Sequence, residues 1–446
     1  APFLGNASIQ RQNIDNITFV NNIPANVGYD ETTKKYKNAT TWDVSAQQDK
    51  SILAWYTTNA NGSLKVYIGS DNEIFANQDS TDLFAYIGYS NKCTSTETIT
   101  NIDLLNVTSV ISMRRMFRWT GSNAMTKLDL GSKFDTSNVE NMLGMFGNAG
   151  YNKMTTFSLG SKFDTSNVTD MGYMFARIGY NAMTKLDLGD KFDTSNVTDM
   201  RYMFYSTGYT VMTSLDLGDK FDTSNVTNMF RMFKSCGKEK MTSLRLGNKF
   251  NTSKVYDMNE MFTYCGYQAM TSLDLGDLFY TTNVKDMYRM FYQCGATAMT
   301  SLDLGVAFTK IPNEKITKQL SNYEDWDDDK VTSYNAYDDM FTGTGKSGAV
   351  IYTPESIYKN RTSFKANSTD TITAAGTIAV SEGRTANPIY KPEWTKVSSA
   401  LKPNAIAPTS LEVTVKGNAK KSQTTNGVNI NYNSNVTSTL SAEDIK

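Results

Sequence analysis

The sequence predicts a repeat solenoid of the α/β type, with a parallel β-ladder on one face, short helices or 3-10 turns on the other, and a cap at each end. Three observations predict it. A hexamer of the form M-x-x-L-x-L recurs every 29 residues, Met-Phe pairs recur in the same phase, and two columns of glycine keep that phase. A fixed period of this length is typical of proteins in which one supersecondary unit stacks on the next.

The strand of each unit is predicted from alternation, as the unit at residues 212–241 illustrates. Leu215 and Leu217 alternate with Asp216, so the two leucines share one face and the carboxylate points to the other. Gly218 follows as a turn residue. Because one unit has too few apolar residues to offset the backbone entropy of ordering it, it must share its core and its strand bonds with its neighbours.

The second half of the unit begins with the polar run at residues 222–225, which is typical of turns and caps. Calcium binding is one interpretation of this repeated Asp and Asn pattern, but turn capping explains it more simply. Next, Val226, Met229 and Met232 recur at a spacing of three, followed by Phe233. This spacing predicts about two helical turns, partly 3-10 in character.

A longer run is specific enough to indicate a family. F-D-T-S-N-V-T-D-M-x-Y-M-F stands at residues 163–175 and again at 192–204. It closely resembles the repeat of BspA-like bacterial leucine-rich surface proteins, and M-x-x-L-x-L resembles a leucine-rich-repeat strand. The resemblance covers roughly residues 40–360.

The resemblance implies a leucine-rich-repeat-like fold in a secreted or cell-surface bacterial protein. It implies an adhesion or recognition role, with a host or cell-surface protein or glycan as partner, and it brings no catalytic residues. The alternative is a structural spacer or stalk that presents another surface domain. We expect no enzyme activity, and the segment is expected to be a monomer.

The phase of the repeat divides the chain into four parts. The Met-Phe pair after Met290 comes 50 residues later instead of 29, so an insertion near residues 306–339 interrupts the repeats. The four predicted parts are an N-terminal β-containing cap (1–100), the repeats with their insertion (101–345), a C-terminal cap (346–400), and a linker with a small β module or the start of a stalk (401–446).

Composition excludes several functions. Lys plus Arg is 44 and Asp plus Glu is 45, a formal charge of −1, which argues against a nucleic-acid partner. No stretch approaches the roughly 18 apolar residues of a membrane span, so no membrane insertion is expected in this segment. Histidine is absent, which removes Ser-His, Cys-His and His-metal sites. We therefore predict no cofactor and no metal.

The outward column of the strands is the sharpest candidate for a ligand-binding site. Carboxylates stacked about 5 Å apart repel one another, and a cationic partner or hydrated ion would compensate. The alternative is a solvated strand face that Lys127 and Lys185 partly neutralise. The predicted ligand-binding residues, here named the acidic column, are Asp129, Asp187, Asp216, Arg245, Asp274 and Asp303.

Two further columns leave alternatives open. Tyr151, Tyr180, Tyr209 and Tyr267 each follow a glycine, and a row of tyrosines serves either as a protein or glycan contact surface or as loop packing. Cys236, Cys265 and Cys294 recur at the repeat period. They are expected to be packed thiols, with one disulfide as the rival interpretation.

Overall fold

Short parallel strands carry the leucines of the repeat. In each strand a central Leu or Phe points inward, and equivalent residues of neighbouring units pair with each other, as Leu215 does with Leu244. Leu186, Leu215 and Leu273 are at most 2% exposed, so equivalent leucines occupy equivalent environments. The strands of the repeats are Lys127–Asp129, Thr156–Ser158, Ser214–Asp216, Ser243–Arg245, Ser272–Asp274 and Ser301–Asp303.

This computed structural model describes residues 2–3, 5–189, 191–318, 332–354 and 356–357, together with the backbone of the strands at 376–380, 412–415, 428–432 and 437–440. It divides into two compact units, Ala1–Ala379 and Val380–Lys446. In the first, one hydrophobic core runs from Ile9 to Ile357.

Methionine and phenylalanine fill the interior of the stacked units. The inward phenylalanines of successive units lie ring over ring, with centroids 5.3 to 5.8 Å apart from Phe117 to Phe341. The methionines from Met113 to Met299 have no exposed surface. The unbranched thioether fills gaps between rings, which accounts for the unusual Met and Phe content.

The face opposite the strands corrects the prediction of short helices or 3-10 turns. Between residues 113 and 308, leaving out residue 190, no helix forms. Consecutive reverse turns occupy this face, and the N–H groups of alternate residues donate to carbonyls of the next unit. Examples are Met171 to Asp199, Tyr173 to Arg201 and Phe175 to Met203, at 2.9 to 3.1 Å.

The spacing of the units explains why a helix does not form there. A helix is about 10 Å across, whereas paired strands lie about 4.8 Å apart. A helix would also keep its N–H groups for itself, whereas these turns use alternate N–H groups to join the next unit. Because direct N–H···O bonds join adjacent units on both faces, the units are spaced alike on the strand face and the turn face.

The N-terminal region contains a mixed sheet and a diverged unit. The sheet has the strand order Ile99–Thr100, Ile14–Val20, Leu64–Gly69, Leu53–Thr58 and Trp42–Asp43. Phe84 then stacks on Phe117 at 5.3 Å, and Asp79 bridges Ser112 in parallel. Both pairs are separated by more than one repeat period along the chain, so this unit is out of phase with the repeats that follow.

The remaining elements flank these two regions. Lys315–Lys318 pairs antiparallel with Thr332–Asn335 in the insertion, and Ala349–Thr353 then joins Ser301–Asp303 in parallel. The other strands and 3-10 helices are Pro2–Phe3, Asn6–Gln10, Tyr29–Asp30, Lys35–Tyr36, Ile74–Phe75, Leu105–Asn106, Gly376–Val380, Arg11–Asn13 and Ile102–Leu104.

Two predicted parts fall largely outside the described residues. Of the predicted C-terminal cap (346–400), residues 355, 358–375 and 381–400 lie outside them, and so do 401–411, 416–427, 433–436 and 441–446 of the last part. Within the latter, Glu412–Val415 pairs in parallel with Val428–Tyr432, which pairs antiparallel with Thr437–Leu440.

Candidate binding surface

The strands place the acidic column on one outward line. Asp216 pairs with Arg245 and Asp274 with Asp303, while Asp129 pairs with Ser158. Asp187, Asp216, Arg245 and Asp274 are exposed, and Asp129 and Asp303 are half-buried. The structure therefore brings the six predicted residues together in one column.

Each aspartate of this column caps the turn that follows it. Its Oδ1 accepts a hydrogen bond from the N–H of the glycine two residues later, at 2.9 to 3.0 Å. The donors are Gly131, Gly189, Gly218, Gly276 and Gly305. The aspartates at this position therefore stabilise the chain's own turn, with or without a ligand.

The chain also supplies cations to the column. Arg245 donates to Oδ1 of Asp216 at 2.9 Å and to Asp219 at 2.5 Å. Lys127 lies 3.1 Å from Asp129. Partial burial raises the pKa of Asp216, but the N–H of Gly218 and the Arg245 guanidinium outweigh it and hold that pKa below its ordinary value. The repulsion that suggested an external cation is thus relieved from within at Asp129, Asp187 and Asp216.

The same cap recurs at the two other corners of the unit. Asp216, Asp222 and Asn228 stand six residues apart, and each accepts the N–H of the residue two positions on, at 2.9 to 3.0 Å. Asn225 donates its side-chain amide to the carbonyl of Ser195 in the preceding unit. Turn capping and an asparagine ladder therefore account for the Asp-Thr-Ser-Asn column. Among the described residues, no group of three or more acidic or cysteine side chains is placed to hold a metal ion.

A row of aromatic rings lies where the chain of each unit leaves the turn face. Tyr151, Tyr180 and Tyr209 stack at 4.6 Å with planes within 12° of parallel. Trp119 lies 5.7 Å from Tyr151, and Tyr89 lies 5.5 Å from Trp119. We call the set the aromatic row. Its members are Tyr89, Trp119, Tyr151, Tyr180, Tyr209 and Tyr267.

One lysine continues the row where a tyrosine is missing. Lys238 takes the position between Tyr209 and Tyr267, and its Nζ lies 5.2 Å and 5.6 Å from their ring centroids. The ring centroid of Tyr264 also lies 4.8 Å from this Nζ. A cation among ring faces is attracted by their quadrupoles, so the row continues from Tyr209 through Lys238 to Tyr267.

A glycine before each tyrosine sets the position of the ring. Gly208 has φ +51°, and a Cβ placed on it would lie 2.5 Å from Cβ of Met212. The chain therefore needs glycine both for the left-handed backbone and for the close approach. The rings remain half-buried, with Tyr89 43% exposed.

The row includes residues that the sequence prediction missed. Trp119 lies three residues before its unit's row position, and Tyr89 belongs to the diverged unit, which is out of phase with the repeats. The Gly-Tyr pair at 88–89 is the same as the pair at 150–151. This dipeptide is the sequence feature that indicates Tyr89 as a member of the row.

The three cysteines of the repeats are packed thiols. Cys236, Cys265 and Cys294 are free and have no exposed surface, and Cys93 is also free and buried. Burial raises the pKa of Cys265 well above its ordinary value. They lie in the core, away from any surface where a ligand would bind.

Comparisons with known proteins give one family. The model of the family described as "Mycoplasma protein of unknown function, DUF285" matches residues 88–208, 122–243 and 210–308. No curated protein and no solved structure gives a significant match. The described residues contain no helix long and apolar enough to cross a membrane. The chain is thus a repeat protein whose residues 88–308 are similar to a Mycoplasma-type bacterial family.

Proposed function

We propose that this chain is a bacterial cell-surface recognition protein. It is a non-catalytic repeat solenoid that binds a protein or glycan of another surface through the edge marked by the aromatic row. The observation that carries the proposal is this row of half-buried rings, which passes from unit to unit along the stack.

The chemistry of the row supports binding. Tyrosine and tryptophan offer large rigid contact areas with a polar tip, and they are enriched where binding energy concentrates. Tyr151 and Tyr180 keep part of each ring at the surface. The side chains of the acidic column, in contrast, are used by the chain's own turns and cations.

The extracellular location and the relation to BspA-like leucine-rich proteins belong to the same proposal. The repeat motif, the parallel strand pairs and the match to a bacterial family support them. The turn face departs from a leucine-rich repeat with short helices, so this relation rests on the strands and the motif.

Binding of the labelled protein to bacterial and mammalian cells tests the proposal. Tyr180→Ala with Tyr209→Ala removes two rings, and Ala296 at the same position of a later unit shows that alanine fits there. We expect this variant to lose at least about 90% of bound protein, because central aromatic contacts each contribute about 2 kcal/mol or more.

A matched variant separates the two surfaces. Asp187→Asn, Asp216→Asn and Asp274→Asn together keep the Oδ1 acceptors and remove three charges, so binding should persist. Loss of binding in the Asn variant alone would assign the ligand to the acidic column instead. If the wild-type protein binds no cell, the spacer alternative gains and the proposal fails.

A further inference from the structure

The aromatic row has a gap at its N-terminal end. Gly121 corresponds to Gly150 and Gly179, each of which is followed by a tyrosine, but Gly121 is followed by Ser122. Ser122 is 5% exposed and fills far less space than a ring. The tyrosine of this row position is therefore missing in this unit, and Trp119, three residues earlier, provides the unit's ring from a different position.

The gap opens a cleft of about 490 Å³. Its aromatic walls differ from the rest of the row, because Tyr89 and Trp119 meet at 85° and Trp119 and Tyr151 at 35°. From Tyr151 to Tyr209 the rings lie parallel at 4.6 Å and cover each other's faces. The tilted rings at the cleft leave ring surface open to a ligand.

The rest of the lining is polar and uncharged. Five amide side chains and two serines join the three rings, and no lysine, arginine, aspartate or glutamate lines the cleft. Within the described part of the chain, the side-chain amides of Gln12, Asn13 and Asn91 form no hydrogen bond. Each of them offers both donors and an acceptor to a ligand.

We propose that this cleft binds a neutral saccharide unit; the inference rests on the proposed surface recognition and adds a ligand class at the N-terminal end of the aromatic row. A sugar ring is similar in size to the missing tyrosine ring, and its C–H face packs on an aromatic face. Its hydroxyl groups both donate and accept, as amides do. A concave site with aromatic walls and a few polar groups is the usual form of a small-molecule site. The uncharged lining favours neutral over acidic sugars, because a desolvated anionic group would have no partner.

The test uses an array of neutral oligosaccharides (gluco-, manno-, galacto- and N-acetylhexosamine series) beside sulfated and uronic-acid oligosaccharides. Ser122→Tyr restores the ring that later units carry, and so closes the cleft. Trp119→Ser removes a wall, and it places the residue that Ser206 and Ser235 provide at the same left-handed position. The control is Tyr256→Ala, an exposed tyrosine that belongs neither to the aromatic row nor to the cleft.

We expect wild type to bind at least one neutral series. Binding should weaken at least about tenfold in both cleft variants, because Trp119→Ser removes an aromatic contact with the sugar and Ser122→Tyr occupies the place of the sugar. It should be unchanged in the control. Binding of acidic sugars only, of no sugar, or of a neutral sugar equally well by Ser122→Tyr would overturn the inference. Row-dependent binding to cells, measured separately, would then still stand. Its absence would overturn the proposed function instead.

Discussion

The acidic column and the aromatic row both repeat with the unit and both reach the surface, yet the chain uses them differently. Each carboxylate of the column accepts a backbone N–H two residues on. The ring faces of the row contact other rings and one lysine. The column therefore completes the fold, whereas the row adds surface that the fold does not need for its turns.

This difference shows that periodicity alone does not identify a binding surface. A polar residue that recurs in every unit is explained first by the turn that recurs in every unit. The useful distinction is whether the functional atoms are bonded to local backbone. By that measure the edge with Tyr151 and Tyr180 is the better candidate.

The largest expected effect is on stability at two glycines. Gly208 precedes Tyr209 of the aromatic row, and Gly218 follows Asp216 of the acidic column. Gly208→Ala should lower the free energy of unfolding by about 2–5 kcal/mol, because a left-handed backbone penalty adds to a clash with Met212. Gly218→Ala should cost only about 1–2 kcal/mol, since nothing lies within 4 Å of the added Cβ at φ +75°. Urea unfolding measures both. Equal losses would show that the close approach beneath the row has no energetic weight.

A smaller effect is expected at the cap of the acidic column. Asp216→Ala removes the acceptor for Gly218 and should cost about 1 kcal/mol. Asp216→Asn keeps that acceptor and should cost less than half as much, in the same urea assay. If both variants matched wild type, the cap would not stabilise the turn, and a ligand role for the column would regain weight.

The smallest expected effect is the pH dependence of the free energy of unfolding that Asp216 contributes. The folded-state pKa of Asp216 lies below its ordinary value, so the stabilisation is complete above about pH 4, where the unfolded carboxyl is also ionised. It is lost as pH falls through the folded-state pKa. Because this side chain is 58% exposed, the wild-type advantage over Asp216→Asn should be below about 1 kcal/mol at pH 6. Unfolding curves at pH 6, 4 and 2 should show this advantage disappearing, and a constant difference would contradict the assignment.

The sequence predicted the strand half of the unit well and the turn half only in part. Leu215 and Leu217 alternate with a polar residue, and that pattern has one simple solution. Val226, Met229 and Met232 fit a helix and a series of reverse turns equally, because both bring every third residue inward. The choice depends on hydrogen bonds to the next unit, which a single unit's pattern does not encode.

The candidate site was predictable to a similar degree. The tyrosines from Tyr151 onward stand in phase and were found as a possible contact surface. The cleft escaped because it depends on the absence of a ring at Ser122 and on a neighbouring unit with a different length. The 29-residue period indicates only residues that recur, whereas the cleft lies where Ser122 replaces the recurring tyrosine.

The equal spacing of units on both faces has a consequence for related chains of different length. Duplicating or losing one repeat module would change the length of the stack by about 4.8 Å. A change of copy number alone would therefore move the last repeat away from the cleft in steps of one strand spacing.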